Sequence, residues 1–294
     1  MNTAIVVPTI RPDKMEDFHK AWDSLIVLSD AFLLTVWDGD APLVQWDNGH
    51  GFGVEEVLGD DADLIYNFND GVRNLGFAAI AKYHPEVEYI ITLDDDTKPL
   101  GNTIEEHIWA LRQKYPISWF NTLTRGYPRG FPYAVRQEAE CVVSHGVWRG
   151  ILDYDAPTQL VLGNPESDFY KGPIPKGCYV PLCGMCLAFK KSMLPYVYFA
   201  PMGKRAGFDR FADIWMGVHL KRKVDELGLA IVTGYASVQH DKASNVFTNL
   251  QKESPGLREN ETMWKSEVLT DPYFNIYREK RERWERVIKG FMRG

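Results

Sequence analysis

The 294 residues carry 40 acidic and 33 basic side chains, a net charge of −7 at pH 7, with 45% hydrophobic and 25% charged residues. That balance is ordinary for a globular chain long enough to bury a large core in one α/β domain or two intimate ones. It argues against general nucleic-acid affinity through a basic surface, and no apolar run approaches the roughly 20 residues needed to cross a bilayer.

Thr3 to Val7 reads as a buried strand, and Pro8-Thr9-Ile10-Arg11-Pro12 as a loop leading into a helix from Lys14 to Leu25. The apolar run before Pro8 is too short for a signal peptide. Strand, loop and helix in this order predict a doubly wound α/β sheet, in which ligands sit beyond the carboxyl ends of the strands. A second strand, Phe32 to Trp37, ends in Asp38-Gly39-Asp40. Leu64 to Asn67 reads as a third, followed by a helix from Asn74 to Tyr83.

The fourth strand, Tyr89 to Leu93, runs into Asp94-Asp95-Asp96. Three adjacent carboxylates repel one another unless a cation sits among them. Mg²⁺ and Mn²⁺ prefer carboxylate oxygens and share their remaining positions with phosphates, so a metal and a nucleotide diphosphate are the natural occupants. A solvated acidic turn opening the next helix is the plainer alternative.

From Trp119 to Gly207 aromatics, Gly and Pro predominate, predicting irregular strands and long loops around a site. Helical periodicity returns from Phe211 to Leu227. Ala230 to Thr233 is another strand, leading to Gln239-His240-Asp241-Lys242. Without internal repeats, residues 1–250 read as one domain, with a nucleotide-binding half (1–118) and a sugar or acceptor half (119–250). A helical tail (251–294) follows, in which Trp284, Val287, Ile288 and Phe291 fall at helical spacing, suited to packing on the domain or on a second subunit. Cys141, Cys178, Cys183 and Cys186 are too few for a disulfide framework, so a reducing cytoplasm is the expected compartment. Cys183 and Cys186 have the gap of a zinc site, but buried small hydrophobes account for them better.

Several stretches resemble one family, the reversibly glycosylated polypeptides or UDP-arabinopyranose mutases. They are Val7-Pro8-Thr9-Ile10-Arg11, Asp38-Gly39-Asp40, the aspartate triplet, Ser144 to Trp148, Asp153 to Leu160, Pro181 to Phe189, and His240-Asp241-Lys242-Ala243-Ser244-Asn245. The resemblance implies a glycosyltransferase A-type fold, a Rossmann-like mixed sheet with an elaborated second half. It also implies a UDP-sugar substrate with Mn²⁺ or Mg²⁺, and interconversion of the pyranose and furanose forms of UDP-arabinose. On that basis Pro8, Thr9, Arg11, Asp38, Asp94, Asp95 and Lys242 are expected at the nucleotide sugar, and Asp96, Asp94 and His240 at the metal. The family's glycosylated arginine has two placements. Arg125 matches by its neighbours, and Arg129 by its spacing to a second arginine, Arg136; Arg129 and Arg136 are preferred as catalytic.

Asp213 is the third catalytic candidate, as a base or a contact to a sugar hydroxyl. The family typically has two aspartates before Trp215, and here the first is Ala212. His145 fits either the site or a buried hydrogen bond. Two other functions stay open. One is a transferase passing the sugar to a separate acceptor such as a hydroxylated base in modified DNA, which a basic groove near Arg125, Arg129, Arg136 and Arg149 would serve. The other is an inactive nucleotide-sugar-binding subunit. The expected partners are a UDP-sugar and, optionally, a second copy of the chain, with no membrane.

Overall fold

Alternate residues of the first strand, β1 (Thr3–Thr9), feed two separate apolar clusters: Ala4 and Val6 one, Ile5 and Val7 the other. A strand buried on both faces requires a sheet covered on both sides, and the computed structural model shows such a sheet. It describes residues 1–47, 49–123, 125–241, 245–265 and 271–293. After β1 come α1 (Pro12–Leu28), β2 (Ala31–Trp37), the hairpin β3 (Leu43–Trp46) and β4 (Gly51–Gly53), α2 (Val54–Leu58), α3 (Asn74–Tyr83), β5 (Tyr89–Leu93), β6 (Thr97–Pro99), α4 (Thr103–Leu111) and β7 (Lys114–Pro116). The second half adds β8 (Glu138–Gly150), α5 (Ala156–Leu162), β9 (Gly172–Pro173), β10 (Cys186–Lys190), α6 (Ala212–Glu226), β11 (Ala230–His240), α7 (Val246–Glu253), α8 (Leu257–Met263) and α9 (Pro272–Phe291).

The strand order is β4-β3-β2-β1-β5-β10-β8-β11-β6, with β7 on β8 and β9 on β11. β1 runs parallel to β2 and β5. β10 is antiparallel to both β5 and β8, and β8 is parallel to β11. It follows that β1, β2, β5, β8 and β11 all point the same way, and their carboxyl ends (Thr9, Trp37, Leu93, Gly150 and His240) share one edge. The predicted Rossmann-like mixed sheet with an elaborated second half is therefore present, and ligands are expected at this edge.

α1 and α4 cover one face through Phe18, Trp22, Ile104 and Ile108. α3, α6 and α9 cover the other through Phe77, Trp215 and Trp284. α9 is anchored by Trp284, fully buried, whose indole donates to Leu194 O at 3.0 Å, and by Arg283, which pairs with Asp61 and Asp63.

One strand prediction fails. Leu64 to Asn67 forms no strand; a 3₁₀ turn spans Gly59–Leu64 instead. The β3–β4 hairpin already occupies that edge of the sheet, and the Leu64 carbonyl is satisfied by the Tyr198 hydroxyl at 2.7 Å.

β8 and β10 approach so closely that a Cβ on Gly146 would land on Cys186 Sγ and lie 3.0 Å from the Cys186 carbonyl oxygen. Gly146→Ala is expected to lower stability by about 1–3 kcal/mol, the usual cost of overpacking, read as a lower urea midpoint with unchanged slope.

Candidate active site

At the shared strand edge the three aspartates of the triplet face three ways. Asp95 turns inward, 4% exposed, and accepts from Thr9 Oγ1 at 2.5 Å and from Arg11 Nε at 3.1 Å. Asp96 takes a further contact from Arg11 Nη2 at 3.2 Å and lies 4.0 Å from His240 Nε2. Asp94 accepts from Arg73 Nη2 at 2.9 Å.

Arg73 is 1% exposed and holds the site together. Its guanidinium donates to Thr92 Oγ1 (2.6 Å), Gly184 O (2.9 Å), Asp94 and Asp70, and lies over the Phe199 ring at 4.9 Å. Burial opposes its charge, but Asp70 and Asp94 more than compensate and hold it protonated. Local sequence puts it there. Asn69 caps a short 3₁₀ turn, Asp70–Arg73, by accepting from Gly71 N at 2.8 Å. Gly184 leaves room, since a Cβ there would sit 2.8 Å from the Phe199 ring and 3.1 Å from Arg73 Nη1.

Two more carboxylates close the wall. Asp213, in the first turn of α6, accepts from Gly184 N at 2.9 Å and from Ile214 N at 2.8 Å. Asp153 lies 3.9 Å from Arg210 and accepts from Cys183 Sγ at 3.4 Å. Arg210 is held by Glu253 at 2.8 Å, on a backbone with φ of 66°. Desolvation by surrounding protein raises the Asp70, Asp153 and Asp213 carboxyls, and repulsion adds to it, from Asp94 at Asp70 and Asp153 and from Asp70 and Asp153 at Asp213; Asp213 is pushed up to about 7. Yet the Asp153 and Asp70 side chains remain 34% and 36% exposed. Desolvated carboxylates that still touch solvent mark the wall of a cleft.

Asp38 stands at the end of β2, accepting from Gly39 N (2.8 Å) and Phe68 N (2.9 Å), with burial raising its carboxyl. Pro8 lies on β1 beside Thr9. Lys242 falls outside the described residues. Arg129 is exposed on the loop after β7. Arg136 lies between Tyr127 and Tyr133, 4.7 and 3.8 Å from their centroids, and donates to Phe131 O. Among the described residues neither arginine meets the aspartates. Arg149 is likewise engaged, over Phe169 and donating to Ser167 O.

Ala212 is buried in the core at 2% exposure, so the carboxylate that reaches the cleft at this turn is Asp213. His145 is buried, shares a hydrogen bond with Thr233 Oγ1 at 2.9 Å and is pushed down to about 4 by burial, a structural histidine. The four cysteines are free, and among the described residues no three His, Cys, Asp or Glu side chains gather closely enough to hold a metal. The zinc alternative falls with that.

Asp96 and His240 nonetheless suit a hard divalent ion. His240 Nδ1 faces the Ile151 carbonyl at 2.9 Å, which can only accept. That places a proton on Nδ1 and turns Nε2 toward Asp96, the usual outer support of a metal-binding imidazole. Such an ion would take its remaining positions from phosphate and water.

The reversibly glycosylated polypeptide family matches residues 1–275 of this sequence. The chain belongs to the reversibly glycosylated polypeptide family. Among its relatives, UDP-arabinopyranose mutase 1 of Arabidopsis thaliana is 35% identical over 294 residues, covering 92% of this chain and 78% of that protein. Probable UDP-arabinopyranose mutase 4 of the same plant is 34% identical over 302 residues, covering 95% and 78%. Among solved structures, the catalytic domain of Drosophila β1,4-galactosyltransferase 7 in complex with xylobiose aligns over 92% of this chain and 82% of its own, with 12% identity and a TM-score of 0.41. Within this family member, the site elements that the sequence did not disclose are Arg73 and Asp70, while Gly184 was visible only inside the matched stretch Pro181 to Phe189. The signal available for Arg73 was a lone charge immediately before an apolar helix. Asp153 was visible only as part of a matched stretch. No helix among the described residues is long and apolar enough to cross a membrane.

Proposed function

We propose that this chain is a UDP-arabinopyranose mutase, exchanging the pyranose and furanose rings of UDP-arabinose. The observation that carries the reading is the carboxylate cleft around Arg73 at the carboxyl edge of the sheet, in a chain of this family. Asp96 and His240 would hold Mn²⁺ or Mg²⁺, which when bound offsets the negative charge that builds on the departing diphosphate. Arg11 stands beside it, and Asp38 and the β1 end, Pro8 and Thr9, form the nucleotide side of the cleft.

The ring exchange breaks C1–O5 and forms C1–O4, while the bond from C1 to the diphosphate is broken and remade. Net, O4 loses a proton and O5 gains one. A single carboxyl lying between the two oxygens performs both transfers, and Asp213, poised near neutrality, is suited to it. Asp153 and Asp70 would bind the remaining hydroxyls. Holding the released sugar away from water is the further requirement, since hydrolysis competes.

Incubation with UDP-arabinopyranose and Mn²⁺, with products resolved by chromatography, is expected to yield UDP-arabinofuranose. Asp96→Ala should abolish it. Unchanged substrate, or free UDP alone, would overturn the mutase reading.

A further inference from the structure

A second pocket lies away from the aspartates, where the start of α4 meets β11. It has a volume of about 720 Å³ and is lined by Asn102, Glu105, Glu106, Trp109, Lys171 and Tyr235. His240, at the catalytic edge, is five residues along β11 from Tyr235, or ~17 Å of strand.

The pocket is built by an irregularity in the sheet. Thr233 pairs with His145 and Ser237 with Val147, so four steps of β11 oppose two of β8. Gly234, at φ 81°, takes the bend, packed so tightly that a Cβ there would strike the Tyr170 backbone. Such bulges re-aim side chains. Here Tyr235 comes 5.4 Å from the Trp109 ring, the two planes 44° apart. Beside Tyr235, Trp109 keeps 52% of its surface exposed and offers an open ring face to the pocket. Beneath it, Glu106 Oε2 is buried and accepts no hydrogen bond, which costs free energy until a donor arrives.

We infer that this pocket binds a unit of a neutral saccharide. The rim mixes acceptors (Glu105, Glu106), a donor (Lys171) and an amide that is both (Asn102), as a polyol requires. Glu105 and Glu106 disfavour an anion. Lys171 already lies over the Tyr235 ring at 4.8 Å, filling the face that a cation would use. The tilt between the rings leaves no parallel slot for a nucleobase, whereas the C–H face of a sugar stacks on one exposed indole with its hydroxyls turned to Glu106 and Asn102. The inference does not depend on the catalytic reading.

The test is isothermal titration of the full chain with neutral oligosaccharides of xylose, arabinose and glucose, and with uridine and spermine. At least one saccharide is expected to bind in the millimolar range, and Trp109→Ala and Glu106→Gln should each weaken it by about tenfold, worth about 1.4 kcal/mol. UDP binding and turnover of UDP-arabinopyranose should be unchanged in both variants, which also shows that they fold. Absence of binding by every saccharide, binding undiminished in both variants, or spermine or uridine binding at Trp109 instead would each overturn the proposal.

Discussion

Arg73→Met should be the most damaging single substitution in the cleft, lowering stability by about 3–5 kcal/mol, the range for breaking a buried ion pair from one side. The guanidinium is 1% exposed and serves Thr92, Gly184, Asp94 and Asp70 together. Its loss strands two carboxylates and a carbonyl. Because Asp70 and Asp94 each keep about a third of their surface in water, some of the cost is recovered by hydration, so the lower end of the range is expected. Even that is a large share of a typical domain's 5–15 kcal/mol. Arg73→Lys should not rescue, since an ammonium is a point charge and cannot span four acceptors in a plane. Burial raises the Asp70 carboxyl, and protonation relieves it once its cation is gone, so the deficit measured by urea unfolding should be smaller at pH 5 than at pH 8. A wild-type midpoint at both pH values would show that Arg73 organises nothing.

The parts of this architecture that could be read from sequence are those in which local pattern and tertiary role agree. β1, β2 and β5 are short apolar runs followed at once by charge, and α3 and α6 keep their helical period; each appears within a few residues of its expected bounds. β8 could not be read. It is a central strand of 13 residues, but Ser144 and His145 interrupt its apolar pattern. Those polar groups are tolerable because partners from distant segments meet them: His107 Nδ1 lies 2.9 Å from Ser144 Oγ, and Thr233 lies beside His145. Burial pushes His107 down to about 3, so it stays neutral there.

The same limit hid half the cleft. The acidic ends of β2 and β5 were visible because charge after a strand is a local signal. Arg73 is explained by Asp94, 21 positions away, and by Gly184, 111 positions away, and no periodicity connects them. The five parallel strands bring their ends to one edge, so Asp153 becomes a neighbour of Asp94, and Asp213 of Asp70 and Asp153, only once the sheet is ordered. The uneven roles within the triplet are likewise invisible as three letters. Asp95 is spent on Thr9 and Arg11 inside the fold, leaving Asp94 and Asp96 to face outward.

Asp213→Asn should reduce UDP-arabinofuranose formation by about 10²–10⁴-fold, the usual contribution of a general acid–base group, while leaving UDP binding intact. The carboxylate form starts the cycle in either direction, taking a proton from O4 or from O5. Wild-type turnover should therefore rise with pH through about 7, where burial and then the fields of Asp70 and Asp153 place Asp213. The residual activity of the Asn variant should lack that limb. Asp153→Asn removes one of the repelling charges, so the limb should move toward acid. Stability carries the opposite sign. The folded chain keeps a proton on Asp213 that the unfolded chain has released above its ordinary value of about 4, so this contribution is whole below that value and is lost as the pH climbs to about 7. Unfolding midpoints measured between pH 4 and pH 8 should fall less steeply for Asp213→Asn than for the wild type. If both the rate limb and the stability slope survive in Asp213→Asn, the proton that moves between O4 and O5 belongs to another residue of the cleft.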